Sequence, residues 1–280
     1  MTTIANNLQQ VMGRIAQACR TAGRDPGQVG LLAVSKTFGA DAVLEAVAAG
    51  HRAFGENYIQ EGVDKIAAVR AALPGVALQW HCIGPIQSNK TRPVAEHFDW
   101  VHTVDRLKIA ERLSAQRPDH LPPLQICIQV NIDGGPTKSG VSPAEALDLV
   151  RAVAKLPRLV VRGLMSIPDH APEFEAQLAI HRSARALFDQ MAALGDAPGC
   201  ERGGCDSGAG LRGALHAAGL NPLRRRDRSV HQTRRCPRAP ACCLPEWRPP
   251  DRPSCRGTGC QTAPGLALPL PISRQIAFWR

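Results

Sequence analysis

One lysine of this sequence, Lys36, has the residue type and the position that covalent chemistry with an aldehyde requires. It directly follows the apolar run VGLLAVS at 29–35, which predicts a buried strand. Burial lowers the pKa of a lysine, and the neutral amine can then attack an aldehyde to form a Schiff base. A strand-end lysine that only extends its charged end into water is the common alternative. Position alone therefore leaves both interpretations of Lys36 open.

Four more residues lie where other strands are predicted to end, and their side chains suit a small aromatic ligand. Asn57 could hydrogen-bond a ring hydroxyl or position the lysine, although loop asparagines often satisfy their own backbone. His81 closes the next predicted strand. Met165 can lie against a flat ring and Ser166 can meet its polar edge. For these last two, core packing followed by a turn is the simpler explanation.

An alternation of strands and helices over the first 195 residues must position these side chains. The predicted strands are 29–35, 51–57, 78–83, 100–104, 124–132 and 159–166, and the predicted helices are 3–22, 41–49, 58–73, 88–97, 105–116, 142–156 and 173–194. Continuous apolar strands between amphipathic helices indicate the α/β class, with a parallel sheet covered on both faces. Six such units fit a doubly wound sheet or an incomplete (β/α)8 barrel of the TIM-barrel type. No G-x-G-x-x-G follows the first strand, which argues against a dinucleotide-binding sheet.

The composition changes abruptly after Gly195. Residues 196–280 hold 14 arginines, no lysine and six acidic residues, a net charge of +8, whereas residues 1–195 carry 20 basic and 18 acidic residues. The same stretch holds 11 of the 23 prolines, and only residues 211–218 show a short apolar face. Such a composition buries too little apolar surface to offset chain entropy. We therefore predict a barrel domain over 1–195 and an irregular, disordered tail over 196–280.

Seven of the ten cysteines also lie in this tail, but their spacing matches no metal site. Four residues separate Cys200 from Cys205 and Cys255 from Cys260, which is not the paired C-x2-C pattern of zinc modules. No run approaches the roughly 18–20 apolar residues that span a bilayer. The N-terminus lacks the pattern of a signal peptide. We expect a cytoplasmic protein with no metal and no disulfide framework.

The candidate residues occur within strings that are specific to one family. These strings are LLAVSKT at 31–37, FGENYIQEGVDKI at 54–66, WHCIGPIQSNK at 80–90, HFDWVHTVDRLKIAERL at 97–113, KSG at 138–140 and RGLMSIP at 162–168. The sequence from about residue 4 to 195 resembles the pyridoxal phosphate homeostasis protein family, with Cys82 where the family usually has Phe or Met. The resemblance implies a single (β/α)8 barrel like the N-terminal domain of alanine racemase. It also implies pyridoxal 5′-phosphate (PLP) held as a Schiff base on Lys36, with Asn57, His81, Met165 and Ser166 lining the ring side.

The resemblance further implies a carrier or buffer of this reactive aldehyde that serves vitamin B6 balance, without known turnover. After the sixth helix the family continues with a Ser-x-Gly-Met-Ser segment, a Gly-Ser-Thr segment and an Arg-x-Gly-Thr strand, whose loops hold the phosphate. None of these follows Gly195. The sixth predicted strand would then leave the barrel open, with the first and sixth strands as unpaired edges.

A shift of the reading frame near residue 195 is our hypothesis for this departure. The tail has the Arg, Pro, Cys, Gly and Ala bias of a GC-rich gene read out of frame. Read from the second base of each codon, Gly219, Leu220 and Asn221 can encode Gly-Ser-Thr, although the codon begun at Arg224 cannot give the family's arginine. The hypothesis predicts weak or absent PLP binding and low solubility compared with an intact relative.

Two other functional classes are compatible with parts of the sequence. A PLP-dependent amino-acid racemase needs a second acid–base residue, usually a tyrosine from another domain, and Tyr58 is the only tyrosine here. The basic tail could attract the phosphates of a nucleic acid, but Trp247, Phe278 and Trp279 are not interleaved with its arginines as stacking platforms. We expect a monomer whose partner is PLP, with no membrane or nucleic-acid partner.

Overall fold

A computed structural model describes residues 3–136, 138–169 and 173–194, and the backbone of two strands beyond them. The strands are β1 (Val29–Val34), β2 (Ala53–Glu56), β3 (Gln79–Cys82), β4 (Trp100–Val104), β5 (Leu124–Gln129), β6 (Leu159–Ser166), β7 (Arg212–His216) and β8 (Gln275–Trp279). The helices are α1 (Thr3–Thr21), α2 (Ala40–Ala48), α3 (Ile59–Ala72), α4 (Thr91–His97), α5 (Leu107–Gln116), α6 (Pro143–Ala154) and α7 (Phe174–Ala193). Short 3-10 helices cover Pro26–Gln28 and Ser88–Lys90. The strands and helices predicted for the first 195 residues are confirmed, with ends that shift by at most three residues.

The start of α6 shows how local sequence sets an element boundary. The Ser142 hydroxyl accepts a hydrogen bond from the Glu145 N–H, and the Glu145 side chain accepts one from the Ser142 N–H. Pro143 occupies the first turn, where its missing N–H costs nothing. Such a capping box satisfies two free backbone donors and contributes about 1 kcal/mol.

The end of β5 differs from the prediction, and its backbone hydrogen bonds explain the difference. The strand stops at Gln129, three residues before the predicted end, because the chain folds back on itself. The Asn131 N–H donates to Val141 O, and the Val141 N–H donates to Gln129 O, both at 2.9 Å. Gly140 closes this loop with a φ of 119°, a left-handed conformation that favours glycine.

The eight strands close into a barrel in the order β1-β2-β3-β4-β5-β6-β8-β7. Strands β1 to β6 run parallel in chain order, β7 joins β1 in parallel, and β8 runs antiparallel between β6 and β7. The predicted α/β barrel with six regular units is confirmed. The expectation that β1 and β6 are unpaired edges is wrong. An edge strand presents unpaired backbone N–H and C=O groups, and these groups are paired here with the extended segments β7 and β8.

Internal contacts divide the chain into two units, residues 1–221 with 272–280, and residues 222–271. The first unit contains the whole barrel. The second unit lies outside the described residues, as does the predicted disordered tail apart from β7 and β8. The predicted domain boundary after residue 195 therefore stays a prediction.

Apolar side chains pack on both faces of the barrel wall. On β5, Ile126 and Ile128 are fully buried in the large core between the strands and the helices, whereas Cys127 belongs to a separate cluster with Met165. This alternation follows from the strand itself, since successive side chains point to opposite faces. Burial of each large aliphatic side chain contributes about 1.5–3 kcal/mol. The packed wall thereby fixes the carboxyl ends of the strands, where the candidate residues lie.

Candidate functional site

The turn after β1 places Lys36 at the carboxyl edge of the barrel. The Ser35 N–H donates to Gly55 O at 3.0 Å, and the Phe38 N–H donates to Ser35 O at 3.1 Å, which closes the turn around Lys36. The Lys36 side chain is exposed. The interpretation in which Lys36 is buried is therefore wrong, because Lys36 extends past the buried strand. Its position at the carboxyl edge of the barrel, which forms the mouth, leaves the amine accessible to solvent.

Asn57 follows β2 at the same level as Lys36. Strands β1 and β2 pair Val34 with Gly55, and Lys36 and Asn57 each come two residues later. Neighbouring parallel strands lie about 4.8 Å apart, so this register puts the two residues side by side. Asn57 is half-buried. Both residues therefore follow neighbouring strands at the same edge of the sheet, and a shared site for the Lys36 amine and the Asn57 carboxamide stays a prediction.

The loop after β3 packs directly against the backbone of Asn57. A Cβ at Gly84 would lie only 1.9 Å from Asn57 O, so the loop can approach this closely only with glycine there. The Ile83 N–H donates to Glu56 O at 2.9 Å, and the Thr103 hydroxyl donates to Gly84 O at 2.7 Å. These contacts hold Asn57 in place from the side of the third strand.

His81 lies inside the barrel, one layer deeper than Lys36 and Asn57. Strands β2 and β3 pair Gly55 with His81, two residues before the level of Asn57. The His81 ring stacks on Trp100, with ring centroids 5.3 Å apart and planes inclined by 14°. Its Nδ1 lies 2.9 Å from Nε2 of His102, so one of these two nitrogens carries the shared proton. The three rings fill the barrel beneath the mouth.

Met165 and Ser166 end β6, and both are fully buried. Met165 packs with Cys127, and Trp100 and Ile167 lie against this pair. Burial raises the pKa of the Cys127 thiol to about 12, so this thiol is neutral at physiological pH. The Ser166 hydroxyl has no hydrogen-bond partner among the described residues. A buried hydroxyl without a partner costs about 1–3 kcal/mol, which a polar ligand group could recover.

The loops that follow β5 and β6 are linked to each other by an ion pair. Lys138 Nζ lies 2.6 Å from Asp169 Oδ1, and the Asp169 N–H donates to Asp133 Oδ2 at 2.6 Å. The Asn131 side-chain amide also donates to Gly135 O at 2.9 Å. This link fixes the wall of the mouth on the side of Ser166.

A cluster of four residues behind Lys36, of which three are buried and Glu61 is partly exposed, was not predicted from the sequence. The cluster consists of Ser35, Glu56, Glu61 and Lys65, and the Lys65 ammonium lies at its centre. Burial raises the pKa of Glu56, while its hydrogen bonds from Lys65 and Ser35 act in the opposite direction. The signal that could have revealed the cluster is an acidic residue within a buried strand, since a buried carboxylate needs a cation close by.

Comparisons with known proteins identify the family. The family model described as alanine racemase, N-terminal domain, matches residues 4–224. The pyridoxal phosphate homeostasis protein of Pseudomonas aeruginosa is 57% identical over 188 residues, which cover 67% of this chain and 80% of that protein. Its counterpart in Vibrio cholerae is 53% identical over 192 residues, which cover 69% of this chain and 81% of that protein. The chain belongs to the pyridoxal phosphate homeostasis protein family.

Solved structures agree with this family and with its fold. PipY of Synechococcus elongatus PCC7942, solved with PLP bound, is 36% identical with a TM-score of 0.55, over 65% of this chain and 82% of PipY. An unknown protein from Bifidobacterium adolescentis is 29% identical with a TM-score of 0.64, over 69% of this chain and 80% of that protein. The resemblance and the barrel class predicted from the sequence are both confirmed.

In this family member, two absences are established for the residues that the structure describes. No group of three or more His, Cys, Asp or Glu side chains there could hold a metal ion. None of the helices there combines the length and the apolar character that crossing a membrane requires.

The contact between Gly84 and Asn57 gives a prediction about stability. We expect Gly84→Ala to lower the free energy of unfolding by about 1–3 kcal/mol, because the new Cβ would overlap a backbone oxygen that cannot rotate away. Gly13→Ala in α1 is the control, since nothing lies within 4 Å of its Cβ and we expect it to stabilise by about 0.5–1 kcal/mol. Urea unfolding measures both variants. Equal stabilities would show that the loop adapts and does not fix Asn57.

Proposed function

We propose that this chain binds pyridoxal 5′-phosphate as a Schiff base on Lys36 and takes part in vitamin B6 homeostasis in the cytoplasm. Its relatives are named pyridoxal phosphate homeostasis proteins, and PipY has been solved with PLP bound. The observation that supports the proposal is the register that pairs Val34 with Gly55, two residues before Lys36 and Asn57 at the carboxyl edge of the barrel.

The described residues fit the ring side of this cofactor. When bound, PLP supplies an aldehyde that condenses with a lysine amine. Lys36 offers that amine at an exposed position, and the Asn57 carboxamide offers both a donor and an acceptor next to it. Met165 and Ser166 are fully buried at the end of β6, and the Ser166 hydroxyl, which has no hydrogen-bond partner among the described residues, is the polar group there that a ligand could satisfy.

We propose that His81 forms the floor of this pocket. Its ring lies one layer below the mouth and is held by stacking on Trp100 and by the close contact with His102. A rigid aromatic floor prevents the ligand from sinking into the barrel. In this role His81 limits where the ring lies and exchanges no proton with it.

The phosphate side is where this chain departs from its family. The two relatives match over 80% and 81% of their own lengths, and the segments that hold the phosphate in the family have no counterpart after Gly195. Backbone N–H groups and hydroxyls of such loops normally bind a phosphate. We therefore propose that PLP binds more weakly here than in an intact relative.

The proposed cause is a shift of the reading frame near residue 195. The arginine-rich composition that begins after this point supports it. We expect the nucleotide sequence around codon 195 to show an insertion or deletion that, once corrected, restores the family's Gly-Ser-Thr segment. An undisturbed frame in gene and transcript, together with relatives that share this tail, would contradict the hypothesis.

We propose a carrier of PLP without catalytic turnover. A racemase needs a second acid–base residue that faces the ligand opposite the lysine. Tyr58, the only tyrosine, is 56% exposed and lies between Asn57 and α3, after the strand that neighbours the strand of Lys36. Racemisation of alanine by the chain, lost in Lys36→Ala, would show that the racemase interpretation is right.

Reduction with borohydride tests the binding proposal directly. We expect PLP and borohydride to label Lys36, less completely than in the Pseudomonas aeruginosa relative at the same PLP concentration, and we expect Lys36→Ala to lose this label. Absorbance of the imine band and peptide mass spectrometry measure it, and Lys108→Ala, at an exposed lysine of α5, is the matched control. Equal labelling of all exposed lysines would contradict a site at Lys36, and stoichiometric labelling would contradict weakened binding.

Comparison of PLP with pyridoxal, which lacks the phosphate, tests the missing phosphate loops. A hydrogen bond to a charged group contributes about 1.5–3 kcal/mol, so an intact set of loops favours PLP at least about tenfold. We expect this chain to bind both aldehydes within about threefold of each other, because the described contacts concern only the ring. Competition titrations on this chain and on the relative measure the ratio. A strong preference for PLP here would show that the tail replaces the phosphate loops.

A further inference from the structure

We propose that Lys65 is the residue that positions Lys36, and that it is not a second amine for the aldehyde. The proposal rests on the function proposed for Lys36. Lys65 is the only lysine among the described residues that is buried, with 6% of its surface exposed. It lies on α3, and its ammonium reaches back beneath the turn that carries Lys36.

The three donors of the Lys65 ammonium are all used. Its Nζ donates to Ser35 O at 2.8 Å, to Glu56 Oε1 at 2.8 Å and to Glu61 Oε1 at 3.1 Å. The Ser35 hydroxyl donates to the same oxygen of Glu56. An ammonium with three acceptors and little exposure has no free donor and no path to a ligand at the mouth. Its geometry therefore favours a structural task over covalent chemistry.

The acceptors of this cluster flank Lys36 on both sides. Ser35 O belongs to the peptide bond that joins Ser35 to Lys36. On the other side, the Thr37 N–H donates to Glu61 Oε1 at 2.8 Å, the same oxygen that Lys65 contacts. The backbone before and after Lys36 is thus tied to one buried cation. Glu56 extends the connection to Asn57, its neighbour in sequence.

The turn needs this support because Thr37 has a left-handed backbone. Its φ is 68°, and a β-branched residue in that conformation is strained. Such strain persists only where the surroundings hold it. Here the hydrogen bond from Thr37 to Glu61 holds it, and Lys65 in turn fixes Glu61. Without the ammonium, we expect the turn to relax and Lys36 to leave the level of Asn57.

The energetics of buried charge also favour a positioning role for Lys65. A buried ion pair is often no more stabilising than a well-packed apolar pair, because both charges lose their hydration. Stability alone therefore gives little reason to bury an ammonium between two carboxylates. Burial of the Lys65 ammonium is explained if the cluster serves to fix one backbone conformation, because hydrogen bonds are directional and apolar contacts are not.

The test separates the backbone role of Lys65 from binding of the aldehyde. In the full chain, Lys65→Met removes the ammonium and keeps most of the apolar stem, and Lys108→Met is the matched control at an exposed lysine. Hydrogen exchange of the Thr37 amide reports the turn without any ligand. We expect Lys65→Met to speed this exchange at least about tenfold and Lys108→Met to leave it unchanged, because only the former removes support for the Glu61 contact.

A second pair of variants tests the same idea if Lys65→Met destabilises the whole chain. Glu61 is partly exposed, so Glu61→Ala removes the acceptor of the Thr37 N–H at a tolerant position. We expect Glu61→Ala to slow labelling of Lys36 by PLP and borohydride about threefold or more. We expect Thr37→Gly in the same chain to recover most of that loss, because glycine adopts a positive φ without strain.

These experiments distinguish failure of the positioning role of Lys65 from failure of the proposed binding of PLP. Unchanged Thr37 exchange in Lys65→Met, or a PLP label on Lys65 in the parent chain, would overturn the positioning role. Failure of Thr37→Gly to recover labelling would overturn the link between the strained turn and Lys36. If exchange responds to Lys65→Met but the parent chain carries no label on Lys36, the positioning role stands and the proposed binding of PLP fails.

Discussion

The parallel register of the first three strands is the constraint on which the candidate site depends. Because Val34 pairs with Gly55, and Gly55 with His81, Lys36 and Asn57 leave the sheet together while His81 stays one layer below. A slip of one residue in either pairing would exchange the faces of the strand and turn these side chains toward the helices. The apolar packing outside the barrel prevents such a slip, so the polar site is held by contacts that are themselves apolar.

The sequence predicts the parts of this arrangement that depend on local interactions. It does not predict the parts that depend on contacts between distant elements. The apolar runs predicted β1 to β6, and the position at the end of a strand predicted Lys36 and Asn57 as candidate residues. Both signals are local in the sequence. The depth of His81 inside the barrel could not be predicted from the sequence, because it depends on the register between strands. The cluster around Lys65 was also missed, because the order of residues along α3 does not show that an ammonium reaches back to Ser35.

Polar atoms without partners show where the fold gives up stability. The Ser166 hydroxyl, one oxygen of Glu56 and the Asn131 carbonyl oxygen are buried without hydrogen-bond partners among the described residues. Each follows or ends a strand at the carboxyl edge, which is also the edge where the strained Thr37 lies. Costs of about 1–3 kcal/mol for each such group are tolerated in proteins mainly where a ligand can recover them. Gln116 Oε1, at the end of α5, and Arg158 Nε, directly before β6, are buried without partners among the described residues as well, so such groups do not by themselves mark the mouth.

Closure of the barrel does not by itself complete the mouth, because strand direction decides which loops meet there. In the antiparallel β8, Ile276 pairs with Ser166 and Trp279 pairs with Gly163, so the chain enters this strand at the carboxyl edge and leaves at the opposite one. In a parallel barrel, every strand would instead deliver the loop that follows it to the mouth. The pairing of β1 and β6 with β7 and β8 therefore satisfies the backbone hydrogen bonds of both edges. It does not provide the order of loops that a fully parallel barrel has at its carboxyl edge. A closed sheet can therefore keep the polar residues that follow β1 and β2 at its carboxyl edge and still lack there the loop that a parallel eighth strand would supply.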